Sequence, residues 1–305
     1  MQLQYDEDLV ESAVVFSASG RNKNIEPLLV RRFHRERERL YSIADPDERN
    51  AAFFQLHLSW FREWLLEEQL IDALNEFPLV KKSVRLIAFR KSRGKKDEGS
   101  EMYVNEAGRH AIISLRAERF SDENTLAAFL RHEFMHLHDM VDPEFGYSPQ
   151  TDLRMSSPSQ QRLALERYTV LWDISIDQRL IRRECTTIAT REFRSNEFDR
   201  TFQFWPAEKR AEIFGQLWNE PTPRHADLME IACDPCSLRH ANLPAPGALC
   251  PLCGFSTFQW ANMESVSQLN LDRVRSEFPL WKTEQGLCER CAEAYDVLTC
   301  APTQV

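Results

Sequence analysis

The sequence predicts an α+β protein in which helices and a small sheet precede a motif-bearing helix, with a small cysteine-rich module at the C-terminal end. Three observations predict it. Apolar residues recur at three and four over roughly residues 23 to 75, as on buried helix faces. From Val84 the period becomes strand-like. From Cys233 long helical periods give way to prolines and paired cysteines. With 305 residues, 43% of them hydrophobic and 28% charged, the chain is longer than one core comfortably serves, because single cores stop growing at roughly 250 to 300 residues. Two modules are expected, residues 1–231 and 232–305.

In the first module Leu28, Leu29 and Phe33, then Phe53, Leu56, Trp60, Phe61, Trp64 and Leu65 mark two helices separated by Pro46. Residues 84–90 read as a strand, and the turn-rich residues 93–100 suggest a hairpin to a short strand at residues 102–104. A third strand is expected at residues 110–115. Ser121 is a suitable N-cap for a helix running to about Met140, where Pro143 and Gly146 break the chain. Further helices are expected over residues 160–183, 206–218 and 224–231.

Acidic residues outnumber basic ones by 47 to 38, a formal net charge of −9, which argues against a general nucleic-acid binder. Residues 81–96 carry eight basic side chains, which the sequence favours as a charge-protected edge hairpin over a phosphate-binding stripe. The N-terminus is acidic and is not followed by the apolar segment of an export signal, and no stretch is long enough to span a bilayer. A cytoplasmic protein without a membrane partner is expected.

The chemistry concentrates in His132-Glu133-Phe134-Met135-His136. Residues four apart on a helix share a face, so both imidazoles can reach one ion. Glu133 then faces the ion's open side, where it can take a proton from a water activated by the metal and return it to a leaving amine. The apolar neighbours Phe129, Leu130, Phe134 and Leu137 mark a largely buried helix rather than a solvated polar one.

With strands ahead of such a helix, residues 84–183 resemble the zincin metallopeptidases. That resemblance implies zinc-dependent hydrolysis of a protein or peptide, with His132 and His136 as ligands and Glu133 as general base. It also implies that the last strand before the helix, residues 110–115, borders the cleft and pairs with an extended substrate. The alternative is a non-catalytic zinc-binding interaction protein on the same scaffold.

For the third ligand the metzincin pattern would point to Asp142, but Asp139 stands where a glycine should turn the backbone. The gluzincin-like pattern takes its ligand from a later helix, with an acid four residues further on. Asp173 and Asp177 match it, with Asp for the usual Glu. Asp173 is the leading candidate, and Asp177, Glu166 and Asp142 remain open. The opposing reading makes Arg162, Glu166, Thr169, Asp173, Asp177 and Glu184 one solvent-facing stripe. Tyr147 and Tyr168 are candidate oxyanion donors.

Six of the eight cysteines stand in CxxC pairs, Cys233 with Cys236, Cys250 with Cys253, and Cys288 with Cys291. Paired thiolates in a chain without an export signal read as zinc ligands before disulfides. Cys250-Pro251-Leu252-Cys253-Gly254 has the form of a zinc knuckle, and the pair at Cys288 opens a helical run. This resembles the zinc-ribbon and treble-clef group and implies a structural site of Cys250, Cys253, Cys288 and Cys291. A pairing of Cys233 and Cys236 with Cys250 and Cys253 is equally open, as is a further ion. The expected cofactor is Zn²⁺, one catalytic and at least one structural. A zincin followed by such a module resembles the SprT-like proteases in layout. Those use a third His, so their DNA-linked substrates are not carried over. Residues 233–305 hold five basic and eight acidic side chains, which favours a protein or peptide partner over nucleic acid.

Overall fold

A computed structural model describes residues 1–21, 25–106, 108–149, 158–233, 247–263 and 265–300. Two compact units emerge, Met1–Ser148 with Ile176–Arg191, and Pro149–Ser175 with Glu192–Val305. The expected boundary near Ile231 falls inside the second.

The first unit begins with two elements that carry no strong local signal, strand β1 (Gln2–Tyr5) and helix α1 (Glu7–Phe16). β1 is short and alternates Gln with Leu and Tyr, so its strand character comes from a partner distant in sequence. Helices α2 (Pro27–Leu40), α3 (Pro46–Glu63), α4 (Leu66–Asn75) and α5 (Pro78–Ser83) follow, three of them opening on proline at the first turn, where no N–H is needed. Asp45 caps α3 by accepting from the backbone N–H groups of Asp47 and Glu48. Phe33, Trp60, Phe61 and Leu70 are buried among these helices.

Strands β2 (Leu86–Lys91), β3 (Gly99–Asn105) and β4 (Gly108–Leu115) complete a four-stranded sheet in the order β1-β2-β4-β3. The class is α+β, as expected. β1 and β4 both pair parallel with β2, and β3 pairs antiparallel with β4. The expected hairpin between the first two strands is therefore corrected: the tight hairpin joins β3 to β4, where Gly108 takes the positive φ of 118°. Residues 92–98 instead carry the chain across to the far side of β4, and Glu98 anchors the arrival. Its carboxylate accepts from the Arg116 N–H at 3.0 Å and from Arg119 Nε and Nη2 at 2.8 Å each.

Two further expectations change with this order. β2 lies inside the sheet, so its basic residues do not protect an edge. β4 is also interior, and the free edge nearest the motif helix belongs to β3. Helix α6 (Glu123–Val141) is capped by Asp122, which accepts from the Thr125 N–H at 2.7 Å, rather than by Ser121. It packs on the sheet through Phe134, whose ring meets Phe77 and Phe89. Helix α7 (Pro158–Arg182) is one continuous helix, and its last turns from Ile176 belong to the first unit.

In the second unit α8 (Arg191–Thr201), α9 (Ala207–Asn219) and α10 (His225–Cys233) surround an aromatic cluster of Phe198, Phe202, Trp205 and Phe214. Helices α11 (Gln268–Glu277) and α12 (Glu289–Cys300) belong to a cysteine-rich module with a core of its own, built on Cys250, Val274, Trp281, Leu287, Cys288 and Tyr295. Among the described residues no helix is long and apolar enough to cross a membrane.

Candidate metal centres

Helix α6 places His132, Glu133 and His136 as the sequence predicts, one turn separating the imidazoles, whose ring centroids lie 4.9 Å apart. His132 and Glu133 are buried at 2% and 6% exposure. Asp177 on α7 is fully buried and meets His132, Oδ1 lying 3.0 Å from Nδ1. A carboxylate only accepts, so Nδ1 carries the proton and Nε2 keeps its lone pair for a ligand role. Asp173 lies one turn earlier on the same helix, in the part of α7 that belongs to the second unit.

The other candidates for third ligand are placed elsewhere. Glu166 is exposed and pairs with Arg162, while Asp142 ends α6 and accepts from the Glu144 N–H. The solvent-stripe reading thus holds for the first turns of α7 but fails at Asp177, because the helix becomes buried from Leu171 onward. Arg194, itself buried, donates to Asp173 Oδ2 at 3.2 Å and to Glu197 at 2.6 Å. Nothing in the sequence singles out Arg194, since its role depends on where α8 comes to lie. Deeper along α6, Asp139 receives a bidentate pair from Arg179, which ties α6 to the end of α7. Of the tyrosines, Tyr168 has its hydroxyl 2.8 Å from His225 Nδ1, and burial raises the Tyr147 phenol.

β3 backs Glu133. Ser100 Oγ donates to the Glu133 carbonyl at 3.3 Å, and a methyl group added to Gly99 would stand 4.0 Å from Glu133 Oε2. At Gly99 the backbone adopts φ 152°, which side-chain-bearing residues avoid. In sequence these two residues read only as turn.

These residues fit a metal on chemical grounds. Two imidazoles stand one turn apart on α6, and Asp177 fixes the tautomer of the first so that its Nε2 is a donor of the kind zinc takes. Replacing Asp177 with Asn is expected to weaken metal binding about 10- to 100-fold by releasing the His132 ring, with the helical circular dichroism unchanged. A chelator competition titration measures it, and unchanged affinity would remove Asp177 from the site.

The second centre unites Cys250, Cys253, Cys288 and Cys291. The Sγ pairs Cys250–Cys291 and Cys253–Cys288 both stand 3.9 Å apart, against the ~3.8 Å that thiolates keep around a tetrahedral ion with 2.3 Å bonds. Burial opposes ionisation of Cys250, but the backbone N–H groups of Cys253, Cys288 and Leu252 bring its thiol down to about 7. Burial drives Cys288 and Cys291 upward, and the Cys250 sulfur adds to the rise of both. Crowded thiolates repel, and a cation among them reverses that balance. Of the alternative pairing, Cys233 ends α10, while Cys236 lies outside the described residues.

The chain thus carries two donor sets of different kinds, one closed and sulfur-based, one with two imidazoles beside a buried glutamate. No family model, curated protein or solved structure matches it.

Proposed function

We propose that the protein is a zinc-dependent peptidase of the zincin type, gluzincin-like in its ligands, with a structural zinc in its C-terminal module. The observation that carries this reading is the pair of imidazoles of His132 and His136 one turn apart beside the buried Glu133, with Asp177 orienting the first ring, and Asp173 is the proposed third ligand on the gluzincin-like spacing. A zinc ion held there supplies Lewis acidity toward a substrate carbonyl and lowers the pKa of water.

The chain's own residues divide the remaining work. Asp177 holds His132 in the tautomer that presents Nε2. Arg194 occupies one oxygen of Asp173 and fixes the direction of the other. Glu133 accepts the proton lost by the attacking water and delivers it to the amine as the C–N bond breaks, which leaves a carboxylate and an amine as products. The free edge of β3 suits an extended substrate strand, because it pairs with β4 on one side only and Gly99 and Ser100 run alongside Glu133.

Elemental analysis of wild type and of a His132→Ala, His136→Ala double variant tests the reading. One equivalent of zinc should be lost and the thiolate-held remainder kept. Equal zinc in both proteins would reduce the motif to an ordinary helix face.

A second reading, a docking protein without turnover, draws support from the cysteine module, where Phe255 is 72% and Leu280 93% exposed. It requires that Glu133→Gln leave binding to the partner unaltered.

A further inference from the structure

We propose that the cleft beside Glu133 selects peptides with an acidic side chain close to the scissile bond. This inference rests on the peptidase reading and names its substrate class. The cleft, about 690 Å³, is lined by Arg90, Lys91, Arg93 and Lys96 together with Gly99 and Ser100. That volume is in the range of small-ligand sites and holds a side chain with its flanking backbone. Gly99 and Ser100 also border Glu133, so the cleft's lining and the candidate reaction centre meet at the start of β3.

The charges leave an anion unsupplied. Among the described residues none of the four cations forms an ion pair, and Arg90 spends one N–H on the Ser114 hydroxyl at 2.8 Å. The acids in the same wall are mostly taken. Glu98 is held by Arg119 and Arg116, which keep its carboxyl below the usual range despite burial, and Glu101 accepts from the Tyr103 hydroxyl. Asp97 and Glu101, whose phenol partner carries no charge, offset only two of the four cations. Since β2 is an interior strand, Arg90 and Lys91 do not guard a sheet edge. Like charges gathered without counter-charges repel one another, a cost that a bound carboxylate removes.

A peptide fits better than a nucleic-acid backbone. The basic run of residues 81–96 does not form a continuous stripe, because Lys81, Lys82 and Lys95 stay outside the concave wall. The chain as a whole is also acidic, at −9. A strand laid along β3 places side chains alternately toward and away from the cleft, so selection would act at alternate substrate positions.

The test uses full-length, zinc-loaded Glu133→Gln protein, which binds without turning over. Fluorescence anisotropy compares a labelled peptide containing paired glutamates with its glutamine and lysine counterparts. The glutamate peptide should bind tightest, lose affinity as salt rises, and lose about tenfold more when Arg93→Glu and Lys96→Glu are added, both positions being exposed. Equal binding of all three peptides, or no effect of the charge reversals in a protein with unchanged circular dichroism, overturns the proposal. So does tighter, equally charge-dependent binding of a single-stranded oligonucleotide, which would make the cleft a phosphate groove.

Cleavage by the otherwise wild-type protein separates the two levels of inference. If peptides are cut at rates indifferent to Glu, Gln or Lys, the selectivity fails while the peptidase reading stands. If the glutamate peptide binds selectively and nothing is cut, the acidic recognition is upheld and the peptidase reading fails.

Discussion

Glu133→Gln is expected to lower kcat for peptide cleavage by roughly 10³-fold while leaving zinc content and Tm unchanged. The substitution keeps shape and volume, so the packing of α6 against β3 survives, including the Ser100 bond, which is made to the backbone carbonyl. What disappears is the ability to take up a proton and return it to the amine. The amide would still sit beside His132 and could not serve as a base at any ordinary pH. Because the glutamate is 6% exposed, bulk water is poorly placed to replace it. Steady-state kinetics with parallel elemental analysis reads the result. Residual activity within a few-fold of wild type would exclude Glu133 as the base, and loss of zinc alongside activity would assign it a structural role instead.

Cys288→Ser is expected to dismantle the C-terminal module. Its core consists of a few buried residues around Cys250, Val274, Trp281 and Leu287, and so small a core stabilises a fold only marginally on its own. A structural zinc contributes about 10–16 kcal/mol of apparent binding energy to peptides of this kind, which makes metal and folding one equilibrium. Serine removes a thiolate at a residue 4% exposed and breaks the S–S proximity to Cys253. The protein should lose one zinc equivalent and become open to proteolysis within residues 247–300. Limited proteolysis with mass spectrometry checks this, using chelator-treated wild type as a comparison. Undiminished resistance in both samples would mean that the module folds without metal and that the four thiols are only close neighbours.

Much of the candidate site is legible in the sequence because it lies within single helices or short loops. The spacing of His132 and His136 needs nothing but helical periodicity to bring the rings together, and the same holds for Asp173 and Asp177. The CxxC pairs likewise declare their purpose through local turns. Less is legible wherever a residue's role depends on a distant partner. β1 is a strand because β2 accepts it, and residues 84–91 form an interior strand rather than the arm of a hairpin because two parallel partners flank them. Strand order has no local signature, and so the sequence does not show that β4 is interior and β3 at the edge of the sheet.

The sequence by itself determined the α+β class, the helix carrying His132, Glu133 and His136, and the CxxC pairs as candidate thiolate ligands, since each follows from periodicity or spacing within a few turns of chain, while the fold decided that the pairs at Cys250 and Cys288 converge. Only the tertiary structure decided that Asp177 orients His132, and that Arg194 pairs with Asp173. It alone also gathered Arg90, Lys91, Arg93 and Lys96 into one concave wall with Gly99 and Ser100. Those assignments depend on which helix faces meet and in what order strands pair. Both are set by burying apolar surface between residues far apart in the chain, and that long-range term leaves no mark on local residue spacing.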